Sequence, residues 1–328
     1  MQTRLRPLAA ALVALVLGSF SVAHADGKAD LALVPDGSTV LMHVDLRGLR
    51  TTALYKDIIT QLKAAPGTQE GLTEAKAKFG VDPEKDIHGV TIILPNGFQK
   101  SEQMAVVVEA DVDQKKVVEA LKKEAGPEKA AQVKEQKYGG ATLYQAPKGE
   151  TLAFLGDKRI VFGTGEQVKK AIDAKGGKGN LGAKSPLSGL VKNTDTSKHI
   201  WFAAALPPEM RQQMGPQGKD FESVSGSLDL AKGIGLRLNI GTTNPEAAQK
   251  MATELLKQAK EAAAQPMMAA MGIGPALAGM KAEAKGKSLA IAIDLNEQQV
   301  QQLKTMVGMM MAGAAAGKAA PAMPPPKQ

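Results

Sequence analysis

His43 and Asp45 stand one residue apart inside Val40 to Leu46, an apolar run that reads as a β-strand. Side chains two apart on a strand point the same way, so an imidazole and a carboxylate share one face. Such a pair can pass a proton to and from a substrate or supply two ligands to a metal ion. The enzyme it would serve is a hydrolase of unrecognised type. Its bland counterpart is a polar strand face turned to solvent. Bringing His43 together with His88 and His199 would need a tertiary arrangement that spacing alone does not dictate.

Other chemistries find less support. Asp82, Glu84 and Asp86 alternate, but the glycine turn and distal bidentate acid of a calcium loop are missing. Asp82 before Pro83 reads better as a helix N-cap with proline in the first position. Gly177 to Ser185 looks like a phosphate loop, yet Ala183 separates Gly182 from Lys184 and no strand leads into it. Gly286-Lys287-Ser288 opens a strand instead of a helix. Gly163-Thr164-Gly165 has Val168 where the dinucleotide fingerprint needs its third glycine, so it reads as a capped turn. Gly-x-Ser-x-Gly, Ser-x-x-Lys and His-Glu-x-x-His motifs are absent, and no cofactor is implied. With no cysteine, thiol catalysis, disulfides, thiolate zinc sites and a lipidated cysteine anchor all fall away.

Methionine is the unusual residue. Of 15, ten lie at or beyond Met251, clustered at Met267, Met268, Met271 and Met280 and again at Met306, Met309, Met310 and Met311. Thioethers can bind cuprous copper, cover an adaptable apolar binding surface, or simply pack. The helical spacing of Met306 and Met310 with Val300, Leu303 and Val307 suits packing. A binding surface would use Met267, Met268, Met271, Met280, Met306 and Met310.

The elements that would position these groups are apolar strands running straight into amphipathic helices. Met104 to Ala110 precedes Asp113, a cap, and then Val117, Val118 and Leu121 on one helical face. Ile160 to Phe162 leads through Thr164 and Gln167, a capping box, to Val168, Ala171 and Ile172. Ile234 to Ile240 alternates as a strand with one wet face. Asn244 then caps a helix with Pro245 at its first position. Leu289, Ile291 and Ile293 lead to Asn296 and Gln299, another box, and then to Val300 and Leu303. Val40 to Leu46 should precede a helix using Leu54, Ile58 and Leu62. Val90 to Leu94 should form a hairpin with Met104 to Ala110 through Asn96-Gly97.

The two halves follow one order: strand, helix, hairpin, helix, strands, helix. This predicts an internal duplication and an α+β fold of two similar antiparallel sheets, or one merged sheet, with helices packed on one face. The expected organisation is a signal peptide over 1–25, a first unit over 26–174 and a Gly/Lys-rich connector over 175–198. A second unit spans 199–311, and a disordered Ala/Pro-rich tail spans 312–328. Residues 265–280 read as a loose helix pair or a flap.

At Val34-Pro35, Asp45 with Leu49, Gly80-Val81-Asp82-Pro83 with Asp86, and the strand–Asp–helix run Val106 to Leu121, the chain resembles a family of exported bacterial proteins of unknown function. That family carries a duplicated domain, so the resemblance implies export and duplication and no catalytic residues.

Arg4 and Arg6, the apolar run Leu8 to Phe20 and Ala23-His24-Ala25 fit a secretory signal too short to span a bilayer. Its removal leaves 39 basic against 33 acidic residues, a charge of +6. The lysines are dispersed and aromatics amount to only 3% of residues, which argues against nucleic acid and sugar partners. Weak contact with anionic lipid or cell-wall polymer fits the positive charge. No transmembrane segment is expected. The expectation is a periplasmic or secreted, non-enzymatic binding or interaction protein. Its partner would be an envelope component, or an apolar ligand or unfolded chain carried on the Met-rich segment.

Overall fold

The computed structural model describes residues 27–64, 68–95, 103–124, 132–147, 149–182, 185–270 and 272–305. The expected signal peptide, the Asn96-Gly97 turn and the Ala/Pro-rich tail lie outside them.

Alternating and continuous apolar runs become twelve strands: β1 Val40–Asp45, β2 Ile87–Leu94, β3 Ala105–Ala110, β4 Lys134–Tyr138, β5 Ala141–Gln145, β6 Glu150–Phe154, β7 Arg159–Thr164, β8 Ile200–Ala205, β9 Phe221–Asp229, β10 Ile234–Thr242, β11 Lys281–Lys285 and β12 Ser288–Leu295. They form one sheet in the order β11-β12-β10-β9-β8-β1-β2-β3-β7-β6-β5-β4. Of the two arrangements the sequence allowed, the merged sheet is the one formed. The seam is β1 against β8, antiparallel, with His43 opposite Trp201 and Leu41 opposite Ala203. Outward from that seam the sides begin alike, β1-β2-β3-β7-β6 and β8-β9-β10-β12-β11.

The helices are α1 Gly27–Asp30, α2 Leu46–Leu49, α3 Ala53–Ala64, α4 Thr68–Phe79, α5 Gln114–Glu124, α6 Gly165–Lys175, α7 Pro186–Lys192, α8 Pro208–Gln213, α9 Pro245–Ala263, α10 Pro266–Ala270 and α11 Gly274–Ala278. A last helix, α12, covers residues 297–305. Their starts follow the caps read from sequence. Thr164 accepts from Gln167 N, and Asn244 Oδ1 accepts from Ala247 N at 2.8 Å. At α12 the box is reciprocal: Gln299 N donates to Asn296 Oδ1 at 2.9 Å and Asn296 N donates to Gln299 Oε1 at 2.8 Å. At the β11–β12 turn Gly286 adopts a φ of 57°, a left-handed conformation that glycine takes without strain.

Register sorts the side chains into two faces. One carries Leu41, Ile93, Val107, Val161, Trp201 and Ala203, covered by Val168, Ala171 and Ile172 of α6 and Leu187 and Val191 of α7. On the other, Val90, Val106 and Val108 pack with Val117 of α5, Tyr55 of α3 and the α2 leucines. Further along that second face, Leu238, Ile240, Leu289 and Ile291 pack under α9. The class is therefore α+β, a large antiparallel sheet with helices packed on a face of it. β3 is buried at every position, whereas Ser225, Arg237 and Asn239 mark the polar side of β9 and β10.

Three local expectations change. The buried side of α3 is Tyr55 with Ile59, while Ile58 is exposed, because the helix turns its aromatic toward the β2–β3 core. Asp82 caps a single turn and not a helix: its Oδ1 accepts from Glu84 N, and Asp86 folds back to accept from Asp82 N at 2.6 Å. Within 175–198, Ser185 caps α7, whose Leu187 is fully buried. Residues 266–278 form a helix pair, α10 and α11.

Candidate functional site

His43 is 2% exposed and Asp45 is 3% exposed, so the solvent-facing reading of this strand pair is overturned. The cause lies outside β1. Trp201 on β8 stacks on the imidazole at 5.6 Å between centroids, and α1 covers its other edge. A Cβ at Gly27 would fall 2.9 Å from both Nε2 and Cδ2 of His43, so only glycine fits there without a shift.

His43 belongs to a buried chain of hydrogen bonds. Arg159 Nε donates to Asp30 Oδ1 at 2.8 Å, and the Thr91 hydroxyl donates to Asp30 Oδ2 at 2.6 Å. Thr91 has a single proton and gives it to Asp30, so the contact of 2.7 Å between His43 Nδ1 and Thr91 Oγ1 must have the imidazole as donor. The hydrogen bonds thus select the Nδ1–H form of the ring. Arg159 also reaches Glu109, which Arg47 approaches at 3.5 Å.

Asp45 has a different task. Its Oδ1 accepts from Gly48 N at 2.8 Å and starts α2, while its own N–H donates to His199 O at 2.7 Å.

His43, Asp45 and His199 do line one open cleft of about 690 Å³, with Lys198, Asp229 and Thr51 on its rim. Leu230 N–H donates to His199 Nδ1 at 3.1 Å. Burial tends to raise the Asp229 carboxyl, but Lys198 at 2.8 Å and the Ala231 N–H outweigh it and hold it below the ordinary aspartate range. His88 lies apart, bonded through Nε2 to Asp111 at 2.7 Å. Among the described residues no group of three or more His, Cys, Asp or Glu is arranged to hold a metal ion.

Two buried braces were not read from the sequence. Asp30 carries no local signal, because its partners arrive from β2 and β7. Arg50, 1% exposed, donates to the carbonyls of Pro83, Lys85 and Ile87 and clamps the Asp82–Asp86 turn. Burial lowers the pKa of its guanidinium.

Met280 is core, packed with Ala252, Ala259 and Leu289. Met268 is half-buried on α10. The Met267 side chain, Met271, Met306 and Met310 lie outside the described residues.

An apolar surface instead occupies the middle of the sheet's second face. Register places Ile92, Met42 and Phe202 in one row across β2, β1 and β8, with Val44, Ile200 and Leu228 in the next. All six are partly buried, and Val44, Ile92 and Ile200 pack against the β2–β3 cluster. Met42, Phe202 and Leu228 join none of the hydrophobic clusters of the described residues, although α3 and α5 cover one flank and α9 the other. Gly226 sits beside Phe202 in the row and leaves it without a neighbouring side chain on β9.

Among the described residues no helix is long and apolar enough to cross a membrane. No family model matches the chain, and no curated protein sequence does. Among solved structures it is similar to crystal form I of TP0453. The identity is 10%, with 84% of this chain and 97% of that one covered, at a TM-score of 0.44.

Proposed function

We propose that the chain is a non-enzymatic binding or interaction protein of the bacterial envelope, exported to the periplasm or the medium. The observation that carries this reading is the use of its best chemical pair as structure. His43 is sealed between Trp201 and Gly27 and tied to Thr91, and Asp45 is consumed as a helix cap. At 2% exposure the imidazole offers almost no surface to a substrate, although it borders the cleft beside His199. The shared strand order on the two sides of the β1–β8 seam supports an ancestral duplication, with units over 26–174 and 199–311.

A second reading is favoured by the strip around Met42 and Phe202. Partly exposed apolar side chains in a row across the centre of a sheet suit the carriage of an acyl chain or another elongated apolar group. It moves the carrier site from the methionine-rich segment to the sheet. Native mass spectrometry of protein purified from its own envelope tests it: a co-purifying lipid mass that is lost in a Phe202→Asp variant supports carriage. A clean apo mass in the unmodified chain rejects it and leaves only protein or polymer partners.

A further inference from the structure

We infer that the free edge of β4 is a self-association surface, on which the same strand of a second copy pairs antiparallel about a two-fold axis through Gln136. This goes beyond the binding reading above and does not depend on it.

β4 ends the sheet, and among the described residues only β5 pairs with it. Gly139 and Gly140, with φ of 55° and 81°, make the two-residue turn between them. Two left-handed residues in a row give a type I′ turn. Such a turn closes with a hydrogen bond between its flanking residues, here Tyr138 and Ala141, and bonded pairs alternate outward from it. Tyr138, Gln136 and Lys134 therefore bond to β5, whereas the N–H and C=O of Glu135 and Lys137 point away from the sheet. Lys134, Glu135, Gln136 and Lys137 are all exposed. A row of backbone donors and acceptors at a sheet edge is a template for one more strand.

Charge selects the register. An antiparallel copy must set its outward residues against outward residues, so the two-fold axis passes through a residue and not between two. An axis at Glu135 sets that carboxylate against itself, and an axis at Lys137 does the same to an ammonium, which destabilises a pair of strands. An axis at Gln136 overlaps all five residues of the strand and places Glu135 opposite Lys137 of the second copy, and Lys137 opposite its Glu135. Both of these are the outward, hydrogen-bonding pairs. Lys134 then meets Tyr138 of the second copy, whose ring lies 5.3 Å from Lys169 Nζ and whose hydroxyl donates to Asp173 at 2.7 Å, so Asp173 supplies a counter-charge. Within one copy Glu135 accepts from Lys122 at 2.9 Å and Lys137 donates to the Thr142 hydroxyl at 2.6 Å. These exposed side-chain contacts are weak and leave the backbone edge open. The other edge of the sheet differs: full overlap of β11 with its own copy would set Glu283 against itself and Lys281 against Lys285. A five-residue edge buries little area, so the dimer forms only as concentration rises.

Sedimentation velocity of the mature protein, from about 5 µM to about 500 µM, is expected to show a monomer–dimer equilibrium. A monomer throughout would overturn the inference. Glu135→Lys and Lys137→Glu each create two like-charge pairs across the axis and should weaken association roughly ten-fold or more. An equimolar mixture of the two variants should dimerise as the unmodified chain does, because each restores the opposite charges the other lacks. Single variants that associate like the unmodified chain, or a mixture that stays monomeric, would overturn it. Growth beyond a dimer would mean β4 meeting β11 head to tail and would overturn the two-fold pairing. Thermal unfolding shows that each variant is folded. Should one fail to fold, amide exchange of the unmodified chain decides: Glu135 and Lys137 should exchange more slowly at high concentration than at low, while Gln136, already bonded to β5, should not change. Equal exchange of Glu135 and Lys137 at both concentrations overturns the pairing.

Discussion

Asp30 and Arg159 are joined by a hydrogen-bonded ion pair of 2.8 Å across 129 residues of sequence, with the Asp30 side chain 1% exposed. This contact pins α1, the turn just after the expected signal cleavage point, to β7, and it anchors the Thr91–His43 chain. α1 is thus tied into the core through Asp30.

Asp30→Ala should cost about 3–5 kcal/mol of stability, because it strips partners from the buried Thr91 and the mostly buried Arg159 together. The urea midpoint reads it. Asp30→Ala combined with Arg159→Met should cost less than the two single changes added, since the second removes a charge the first left unpaired. Additive losses would show that the pair is not coupled.

Gly48→Ala should destabilise by about 1–3 kcal/mol. A Cβ there would lie 3.1 Å from Asp45 Cγ and 3.2 Å from His199 Cδ2, besides a still closer approach to the carboxylate. On an ordinary helix surface the same change would stabilise by up to about 1 kcal/mol. Thermal unfolding separates the two signs.

The Asp111 carboxyl is held below the ordinary aspartate value of 3.8, first by its hydrogen bond with His88, against the opposing effect of burial, and further by Lys158. A depressed folded pKa favours folding when the group is ionised. Its contribution is complete above the unfolded value, declines as pH falls through the folded value, and is absent below both. Asp111→Asn should therefore show a shallower loss of urea midpoint than the unmodified chain between about pH 5 and about pH 2. Identical acid limbs would remove Asp111 from that account.

Asn296→Ala should cost about 1 kcal/mol by removing the acceptor for Gln299 N at the start of α12. Hydrogen exchange of residues 297–305 should accelerate more than that of α9, whose cap at Asn244 is untouched. Uniform acceleration across the chain would mean that α12 opens only with the whole fold.

Local chemistry in the sequence determined the caps at Thr164, Asn244 and Asn296 and the strand alternation of Ile234 to Ile240, because each depends on neighbours within a few residues. Tertiary structure decided the rest. The merger of two strand sets rests on β1 meeting β8, a pairing of Val40 with Ala204 that no local pattern encodes. His43 and Asp45 were legible as a same-face pair but not as buried, since the groups that bury them come from α1, β2 and β8. The row of Met42 and Phe202 was equally hidden, because only the β1–β8 pairing, with Gly226 opposite Phe202 on β9, sets them side by side.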